Sequence, residues 1–265
     1  MSDEILVERA DGVGWIRLNR PARRNALTYP MLEALLEACE EAAGDRSTRS
    51  VVLTGVGSAF CAGGDIEHLV EESASVPRPT VDDKIARLRR LHRISMLLAT
   101  MPKPTIAAIN GPAMGAGLSL ALACDLRIAA SSAVLCSAFA RLGVSGDFGG
   151  SWFASHVLGQ GRAKELYFLS QTIGADQALQ LGMVTTVAPD HEFEKAVVDL
   201  AAALAHGPTL AFALMKENFA MTASATLAPF LDQEAETMVR GMMSGDHGRA
   251  ARAFREGGPP RFEGC

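Results

Sequence analysis

The segment at 105–124, TIAAINGPAMGAGLSLALAC, runs for twenty residues without a charged side chain. Its length would suit a membrane-spanning helix, and Gly111 and Gly115 have the spacing of a helix-packing motif in membranes. However, the Asn-Gly-Pro sequence at 110–112 is a strong turn signal within the run. We therefore expect a buried strand followed by a buried small-residue helix, both in the core of a folded domain.

Strand patterns and helical periodicity alternate through the first half of the chain. The stretch ILVERADGVGWIRL alternates on both sides of Asp11-Gly12, which predicts a β-hairpin. SVVLTGVG and DLRIAA predict further buried strands, and helical periodicity covers 31–43 and 82–100. This alternation indicates an α/β core with a largely parallel sheet. From about Gly149 the pattern is almost wholly helical, and residues 70–81 are expected to form a mobile loop.

Charge and cysteine usage argue against several classes of function. The 265 residues have a formal net charge of −5 and a pI of about 5.7, so we expect neither nucleic-acid nor membrane partners. Five cysteines without C-x-x-C spacing are typical of a reduced, cytoplasmic protein, and the acidic N-terminus does not resemble a signal peptide. The six histidines are scattered singly, so no metal site is expected.

Two glycine-rich loops have the same physical design. In GSAFCAGGDIEHL and INGPAMGAGLSLAL, small residues lie between a predicted strand and a predicted helix. Backbone N–H groups at such a position can point at a bound anion or a developing oxyanion. Taken singly, either loop is more simply explained as an ordinary turn. Neither matches a dinucleotide-binding or P-loop motif, and the chain contains no G-x-S-x-G or H-E-x-x-H motif.

Together with their neighbours, these loops resemble the crotonase, or enoyl-CoA hydratase/isomerase, superfamily. The motifs that carry the resemblance are LNRPARRNALT, GSAFCAGGDI, PTIAAINGPAMGAGLSLALACDLRIAA, GVSGDFGGSW, GQGRAKELYFLSQTIGADQALQLGMV and ARAFREGGPPRF. The resemblance implies an α/β spiral of β-β-α units over 1–200 and a helical trimerisation region over 201–265. It also implies a homotrimer or a dimer of trimers. Acyl-CoA would be the substrate, with no separate cofactor.

The same resemblance assigns roles to individual residues. The backbone N–H groups of Gly64 and Ala116 would form an oxyanion hole, although family members usually have glycine at the second position. Phe254 matches an aromatic residue that closes on the coenzyme A of a neighbouring subunit, but Gly257 stands where a lysine is expected. The residues that would line the acyl-CoA pocket are Asn25, Ala26, Leu27, Ala62, Asp65, Ile66, Gly115, Phe139 and Leu142.

Departures from the family pattern decide which reaction we expect. Family hydratases use two glutamates, and the matching positions hold Ser119 and Phe139, neither of which can act as a carboxylate base. Asp147 stands where some family isomerases carry their acid. A carboxylate facing an apolar pocket is a stronger base for a proton next to a thioester. One acid can move a proton from C2 to C4 of a 3-enoyl-CoA, so we expect Δ3-Δ2 enoyl-CoA isomerisation with Asp147 as acid/base.

Other interpretations of the same residues remain open. An enoyl-CoA hydratase in which Asp147 holds the water fits the same fold, and so does a catalytically silent acyl-CoA-binding protein. Asp147 also suits the N-cap of a helix that begins near Gly149. We expect Asp65 to act mainly as a helix cap, and Trp15 and Trp152 to be core aromatic residues.

A cluster of arginines precedes the first glycine-rich loop in the chain. Arg20, Arg23 and Arg24 would lie beside the coenzyme A entrance implied by the resemblance. Guanidinium groups there suit phosphate recognition. Solvation of the loop is an equal alternative for these side chains.

Overall fold

The chain begins with a β-hairpin, as the alternating pattern predicts. A computed structural model describes residues 3–68, 70 and 79–265. Strands β1 (Ile5–Ala10) and β2 (Val13–Leu18) pair antiparallel. Asp11 and Gly12 have positive φ angles of 51° and 79°, as in the two-residue turns that match the twist of a hairpin. The mobile loop expected at 70–81 falls mostly outside the described residues.

A six-stranded sheet in the order β1-β2-β3-β4-β6-β9 forms the centre of the fold. Beyond the hairpin, neighbouring strands are parallel. Every residue of β4 is buried, because side chains of helices pack on both faces of the sheet. The predicted α/β core with a largely parallel sheet is confirmed. The strands after the hairpin are β3 (Ser50–Gly55), β4 (Thr105–Ile109), β6 (Leu126–Ala130) and β9 (Thr186–Ala188).

A smaller sheet stands beside the first and was not predicted. Its strands, in the order β5-β7-β8, are β5 (Ala113–Met114), β7 (Val134–Cys136) and β8 (Ile173–Gly174). These strands have two or three residues each, too few to show a periodic pattern. Isolated parallel bridges join Leu27 to Gly64 and Cys61 to Ala113. The Cys61–Ala113 bridge connects the small sheet to the loop that follows β3, and the Leu27–Gly64 bridge connects that loop to the segment before the helix Tyr29–Gly44.

The helices follow the predicted order, with bounds that differ by a few residues. The pattern predicts the small-residue helix from about residue 113, but α4 begins at Ala116, because Ala113 and Met114 form β5. The later helices are predicted to begin near residues 190, 208, 227 and 246, and each begins within three residues of that position. The helices are α1 (Tyr29–Gly44), α2 (Val81–Leu91), α3 (Arg93–Thr100), α4 (Ala116–Ala123), α5 (Gly150–Leu158), α6 (Gln160–Leu169), α7 (Ala175–Gln180), α8 (Phe193–Ala205), α9 (Thr209–Met221), α10 (Leu227–Met242) and α11 (Gly245–Glu256).

The single helix predicted over 82–100 is two helices that meet at His92. Helix α2 starts with a capping box, in which Thr80 and Asp83 exchange side-chain-to-backbone hydrogen bonds. His92 is the last cap of α2 and the first cap of α3. Helix α3 buries Ile94 and Leu98 in the core. The junction brings the His92 side chain to the glycine-rich turn before α5.

The chain after Gly149 is not wholly helical, since β8 and β9 interrupt it. Helix α8 packs on the large sheet through Val197, Ala201 and Ala205, which recur every four residues. The boundary expected at residue 200 therefore falls inside a helix that packs on the α/β core. Among the described residues, no single helix is long and apolar enough to cross a membrane, whereas α8 and α9, bent by 95°, meet the length and composition test as a pair.

Lys216 links helix α9 to the α/β core. Its side chain is 11% exposed, and its Nζ lies 2.6 Å from Asp125 Oδ2. The same Nζ donates to the Lys103 carbonyl oxygen at 3.1 Å. Asp125 Oδ2 also accepts a hydrogen bond from the Thr105 backbone N–H, at the start of β4. One lysine therefore connects the first of the last three helices to the ends of two central strands.

Replacing Lys216 with methionine should lower the free energy of unfolding by roughly 2 kcal/mol or more, because a partly buried Asp125 loses its cation. Lys195→Met is the matched control. Lys195 pairs with Asp199 at the surface, so its loss should change stability by less than about 1 kcal/mol. Urea unfolding of the three proteins measures both effects. Equal losses in the two variants would contradict the role given to Lys216.

Candidate active site

Asn25 holds the loop after β3 in shape. Its side chain is fully buried and its φ is 57°, a left-handed conformation that asparagine tolerates better than most residues. Its Nδ2 donates to the carbonyl oxygens of Val56 and Ala59 at 3.0 and 2.8 Å, and its Oδ1 accepts from the Arg20 N–H. The Asn25 side chain therefore bonds to this loop and does not face a pocket.

The two glycine-rich loops meet backbone to backbone at Gly63 and Gly115. These residues have φ angles of +92° and +52°, and a Cβ atom added at Gly63 would lie 3.0 Å from the Met114 carbonyl oxygen. A Cβ atom at Gly115 would lie 4.0 Å from the Cα atom of Gly63. A side chain at Gly63 would be both strained and crowded, and one at Gly115 would be strained by its backbone conformation. The loops can approach each other because neither residue has a side chain.

The backbone N–H groups of Gly64 and Ala116 lie on either side of this contact. Leu27 N–H donates to the Gly63 carbonyl oxygen, and Asp65 N–H donates to that of Leu27. Within the part of the chain that the structure describes, the N–H groups of Gly64 and Ala116 donate to no acceptor. Ala116 begins α4 and does not have a positive φ. Alanine in place of glycine is therefore accommodated without backbone strain.

Asp147 lies in a strained turn. Gly146, Phe148 and Gly149 have φ angles of 135°, 51° and 71°. A left-handed backbone is a genuine outlier for a phenylalanine and costs on the order of 1–3 kcal/mol. The Phe148 ring is buried, and the Ser95 hydroxyl donates to the Phe148 carbonyl oxygen at 2.8 Å. Core packing and one hydrogen bond thus hold the turn in place.

The Asp147 carboxylate is paired with a histidine. Asp147 Oδ1 lies 2.5 Å from His92 Nε2 and accepts the Phe148 N–H at 2.9 Å. Both side chains are partly exposed, at 26% for Asp147 and 42% for His92. The alternative that Asp147 caps helix α5 is wrong, because Gly149 is the cap and no side chain bonds to it. The acid is held by a partner 55 residues earlier in the chain.

His92 is the site residue that sequence reasoning missed. The six histidines are isolated in sequence, and nothing near His92 identifies it as a partner of Asp147. Its ring also meets the Phe148 ring edge to face, with centroids 5.5 Å apart. The sequence could have indicated His92 only through the junction of α2 and α3, which interrupts an otherwise continuous helical pattern.

The turn that carries Asp147 packs against the first turns of α4. The Gly150 N–H donates to the Asp147 carbonyl oxygen at 3.0 Å. A Cβ atom at Gly150 would lie 2.1 Å from Ser119 Oγ. Ser119 follows Ala116 by three residues on α4, which is about one helical turn, or roughly 5 Å. The strained turn therefore lies close to the first turn of α4, which begins with Ala116.

No carboxylate occupies the two positions, Ser119 and Phe139, at which the resemblance leads us to expect glutamates. Ser119 is fully buried, and Phe139 is buried with its ring stacked on Tyr167, centroids 5.8 Å apart and planes 18° apart. Burial raises the pKa of Tyr167 to about 12, although its hydrogen bond to Ser119 opposes the shift. The Phe139 ring also lies 4.0 Å from the position of a Cβ atom at Gly115. This wall is aromatic and uncharged.

Asp65 caps a helical segment that begins at residue 66, as the sequence predicts. Its Oδ1 accepts the N–H groups of Glu67 and His68, and its Oδ2 accepts from Arg20 at 2.9 Å. Burial opposes ionisation of Asp65, but Arg20 and the helix N–H groups outweigh it and hold the pKa of that carboxyl below its usual value. The Asp65 side chain therefore stabilises this loop through its own hydrogen bonds.

Arg20, Arg23 and Arg24 differ in their contacts. Arg20 pairs with Glu4 and Asp65, and Arg23 pairs with Glu67. Both guanidinium groups thus have carboxylate partners within the chain. Arg24 is exposed, with a left-handed φ of 50°.

The remaining predicted site residues differ in exposure. Ala26 and Leu27 are buried and Ala62 is partly buried beside the Gly64 loop, whereas Ile66, Leu142 and Phe254 are exposed. Phe254 is 91% exposed on α11. Trp15 is partly buried against the sheet, but the interpretation of Trp152 as a core residue is wrong, since it is 51% exposed.

Cys61 lies in the first glycine-rich loop but is not a nucleophile. Its thiol is buried, and burial raises its pKa to about 12, although the Gly63 N–H favours the thiolate. A thiol in that state is inert at neutral pH. Among the described residues, no three His, Cys, Asp or Glu side chains are grouped to hold a metal ion.

The fold and this pair of loops define an acyl-CoA-type enzyme of the α/β class, and comparison with known proteins identifies its family. The family model described as enoyl-CoA hydratase/isomerase matches residues 8–265. The crystal structure of an enoyl-CoA hydratase from Bacillus anthracis superposes with a TM-score of 0.90 at 32% identity, covering 99% of this chain and 100% of the other. This chain belongs to the enoyl-CoA hydratase/isomerase family of the crotonase superfamily.

Curated relatives carry several different activities in their names. A "Probable enoyl-CoA hydratase" of Rhodobacter capsulatus is 36% identical over 98% of each chain. The "1,2-epoxyphenylacetyl-CoA isomerase" of Escherichia coli is 34% identical over the full length of both chains. The "4-chlorobenzoyl coenzyme A dehalogenase-2" of an Arthrobacter species is 35% identical over 89% of this chain and 84% of its own. Family membership alone therefore does not select one reaction.

Gly150→Ala should lower the free energy of unfolding by at least about 1–3 kcal/mol, because the added methyl group overlaps Ser119 Oγ and Tyr167 Oη. Gly161→Ala is the matched control. Nothing lies within 4 Å of a Cβ atom at Gly161, which is in helix α6, so alanine should stabilise the protein by about 0.5–1 kcal/mol. Urea unfolding reports both signs. A neutral Gly150→Ala would contradict the tight packing described here.

Proposed function

We propose that this protein isomerises the double bond of a 3-enoyl-CoA to the 2-position, with Asp147 as acid/base. The observation that carries the proposal is the Asp147–His92 pair, on a turn whose Gly150 packs against Ser119 of α4. The two other candidate acid positions hold Ser119 and Phe139. A site with one carboxylate suits a reaction that moves one proton.

In the proposed reaction, Asp147 removes a proton from C2 of the bound thioester. The electron pair moves into the carbonyl oxygen, which receives hydrogen bonds from the N–H groups of Gly64 and Ala116. Each such donor stabilises the transition state by roughly 3–4 kcal/mol. The proton then returns from Asp147 to C4, and the double bond lies between C2 and C3. No water is consumed.

His92 is proposed to orient the carboxylate. With hydrogen on Nε2, the imidazole donates to Asp147 Oδ1 and leaves the second carboxylate oxygen for the substrate proton. Holding the base in one position removes rotational freedom that the reaction would otherwise have to lose. The strained backbone at Phe148 serves the same end, because it fixes the direction in which Asp147 leaves the chain.

Hydration of a 2-enoyl-CoA is the first alternative, and the name of the Rhodobacter relative favours it. Hydration needs a positioned water and two proton transfers. Ser119 and Phe139 offer no second carboxylate, and the stacked rings of Phe139 and Tyr167 make that wall apolar, which disfavours an ordered water there. A catalytically silent acyl-CoA-binding protein is the second alternative, and the retained Asp147–His92 pair argues against it.

A second candidate activity, from another reaction class, follows from the same pair. A carboxylate can attack an aryl carbon that carries a halide when the adjoining thioester carbonyl accepts the electrons, and the halide then leaves. A histidine beside it can deprotonate the water that hydrolyses the resulting ester. The Asp147–His92 contact and the name of the Arthrobacter relative favour hydrolytic dehalogenation of an aryl-CoA as this candidate.

The coenzyme A contacts, the assembly and the location are part of the proposal. We place the coenzyme at Ala26, Leu27, Ala62 and Ile66, with Phe254 reaching a neighbouring subunit of a trimer or a dimer of trimers. The exposure of Phe254 on α11 supports a contact outside its own chain. All five cysteines are free thiols, which supports a reducing, cytoplasmic location.

Asp147→Asn should lower kcat by about 10²–10⁴-fold, because an amide cannot accept the C2 proton. Purified protein is offered a 3-enoyl-CoA and, separately, a 2-enoyl-CoA in labelled water, and the products are identified. Asp232→Asn, at an exposed position on α10, is the control and should behave as wild type. A labelled 3-hydroxyacyl-CoA from wild type would instead identify a hydratase. Chloride released from 4-chlorobenzoyl-CoA would identify the dehalogenase.

His92→Ala should lower kcat by roughly 10- to 100-fold with little change in KM, because the carboxylate loses its fixed orientation. His92→Gln keeps a donor near the same position and should recover part of this loss. His191→Ala is the control, since His191 is 81% exposed. Equal kcat values for His92→Ala and wild type would rule out the orienting role.

A further inference from the structure

We propose that residues 262–265 form a strap that positions helix α11 for its contact with coenzyme A. Asp246 and Arg49 are positioning residues that bind the two ends of this strap. The inference rests on the proposed function, in which Phe254 of α11 reaches the coenzyme A of a neighbouring subunit. It assigns a task to two charged residues that the proposed proton transfer does not use.

Helix α11 is held to the protein by polar contacts more than by an apolar face. Within α11, all of which the structure describes, Asp246 is the one buried residue. Phe254 is 91% exposed, and a cavity of about 670 Å³ lies between α9, α10 and α11. Most helices in folded proteins are fixed by an apolar stripe packed on the core. The direction of α11 is therefore set mainly by the contacts of Asp246 and of the strap.

Asp246 binds the strap at the first turn of α11. Its side chain is 4% exposed, and Arg249 Nη2 lies 2.5 Å from its Oδ1. Oδ1 also accepts the Glu263 N–H at 2.7 Å, and Oδ2 accepts the Gly264 N–H at 2.8 Å. The Asp246 N–H donates to the Cys265 carbonyl oxygen at 3.0 Å. An acid in the first turn commonly serves its own helix, whereas here it also binds a segment that follows the helix.

Arg49 binds the other end of the strap and connects it to the large sheet. Arg49 directly precedes β3, and its N–H donates to the Gly12 carbonyl oxygen at 2.7 Å. Its guanidinium donates to the carbonyl oxygens of Phe262 and Gly207 at 3.0 and 2.6 Å, and to Thr209 Oγ1 at 2.9 Å. A planar guanidinium can bond in several fixed directions at once. One side chain thus joins the sheet, the junction of α8 and α9, and the strap.

The strap fits closely between its two anchors. Gly264 has φ +81°, and a Cβ atom there would lie 3.3 Å from Thr209 Oγ1 and 3.5 Å from Arg49 Nε. The first turn of α11 is therefore tied to the α/β core through the strap. Phe254 follows Asp246 on the same helix by about 12 Å, at 1.5 Å per residue. Fixing the first turn thus fixes the direction in which the Phe254 ring is presented.

The direction of α11 affects binding, because Phe254 must meet a ligand on another chain. An exposed aromatic ring can stack on the adenine base of coenzyme A through the faces of both rings. A group that occupies its binding orientation for only part of the time binds with an affinity reduced by that fraction. The strap should therefore strengthen the binding of coenzyme A without taking part in the proton transfer.

The test compares two ligands that differ only at the coenzyme end. Butyryl-CoA is one, and butyryl-pantetheine, which lacks the nucleotide, is the other. Their dissociation constants are measured by titration calorimetry, and kcat is measured with a 3-enoyl-CoA. The variants are Asp246→Asn and Arg49→Lys, since lysine has a single point charge in place of the planar group. Phe254→Ala is the reference for loss of the ring.

Arg127→Lys is the matched control. Arg127 is 7% exposed, and its guanidinium donates to the carbonyl oxygens of Met183 and Cys124 at 2.7 and 2.6 Å. Neither of these bonds involves α11 or the strap. The control measures the effect of losing a buried guanidinium elsewhere in the fold while α11 remains anchored.

We expect Asp246→Asn and Arg49→Lys to raise the Kd of butyryl-CoA by about 3- to 10-fold. The Kd of butyryl-pantetheine and kcat at saturating 3-enoyl-CoA should stay near their wild-type values. Phe254→Ala should have the same signature, and adding Asp246→Asn to it should change little, because both changes remove one contact. Arg127→Lys should lose stability but keep the wild-type ratio of the two Kd values.

A wild-type ratio of the two Kd values in Asp246→Asn and Arg49→Lys would overturn the inference and leave the strap with a structural role alone. Arg49→Lys decides the matter by itself if Asp246→Asn fails to fold. A wild-type ratio in Phe254→Ala would show that the proposed coenzyme contact is wrong, and the inference would fall with it. Failure of the isomerase proposal has a different signature, since wild type would then leave the 3-enoyl-CoA unchanged while both Kd values could still be compared.

Discussion

The close approach of two backbone loops at Gly63 and Gly115 is the constraint on which the candidate site depends. A side chain at Gly63 would crowd the Met114 carbonyl oxygen, and both glycines have positive φ angles that other residues rarely adopt. The approach requires β3 and β4 to be neighbours in a parallel sheet, so that the loops after both strands leave from the same edge. The pairing of β3 with β4 therefore brings together the two loops and the N–H groups of Gly64 and Ala116.

The second constraint is the fixed direction of Asp147. A lone carboxylate on a glycine-rich turn would sample many orientations, and here that freedom is removed by contacts from another element. His92 pairs with the carboxylate, and Ser95 on α3 bonds to the next carbonyl oxygen. The left-handed backbone of Phe148 is maintained against its cost because its ring is buried. Burial of the Phe148 ring in the core thus stabilises the strained turn.

The candidate site combines two glycine-rich loops with a wall of uncharged side chains. Three hydroxyl or aromatic residues, Ser119, Phe139 and Tyr167, fill the wall where two acids would be expected. They are buried and uncharged, and they pack against the peptide that carries the Ala116 N–H. The loops and the wall are built by different segments, so their side chains can vary separately within one fold.

The sequence by itself determined the α/β class, the hairpin at Asp11-Gly12 and the buried strand at 105–109. Those features depend on local periodicity and on turn chemistry, which a linear pattern records. Asp65 as a helix cap was predictable for the same reason, since its partners are the next few residues.

Only the tertiary structure decided the pairing of Asp147 with His92, the exposure of Trp152 and the junction between α2 and α3. It also decided the two- and three-residue strands of the small sheet. His92 and Asp147 are 55 positions apart in the chain. They come together only because the start of α3 packs against the turn before α5. Their contact energy depends on that packing and leaves no trace in local composition, so no periodic pattern could have shown it.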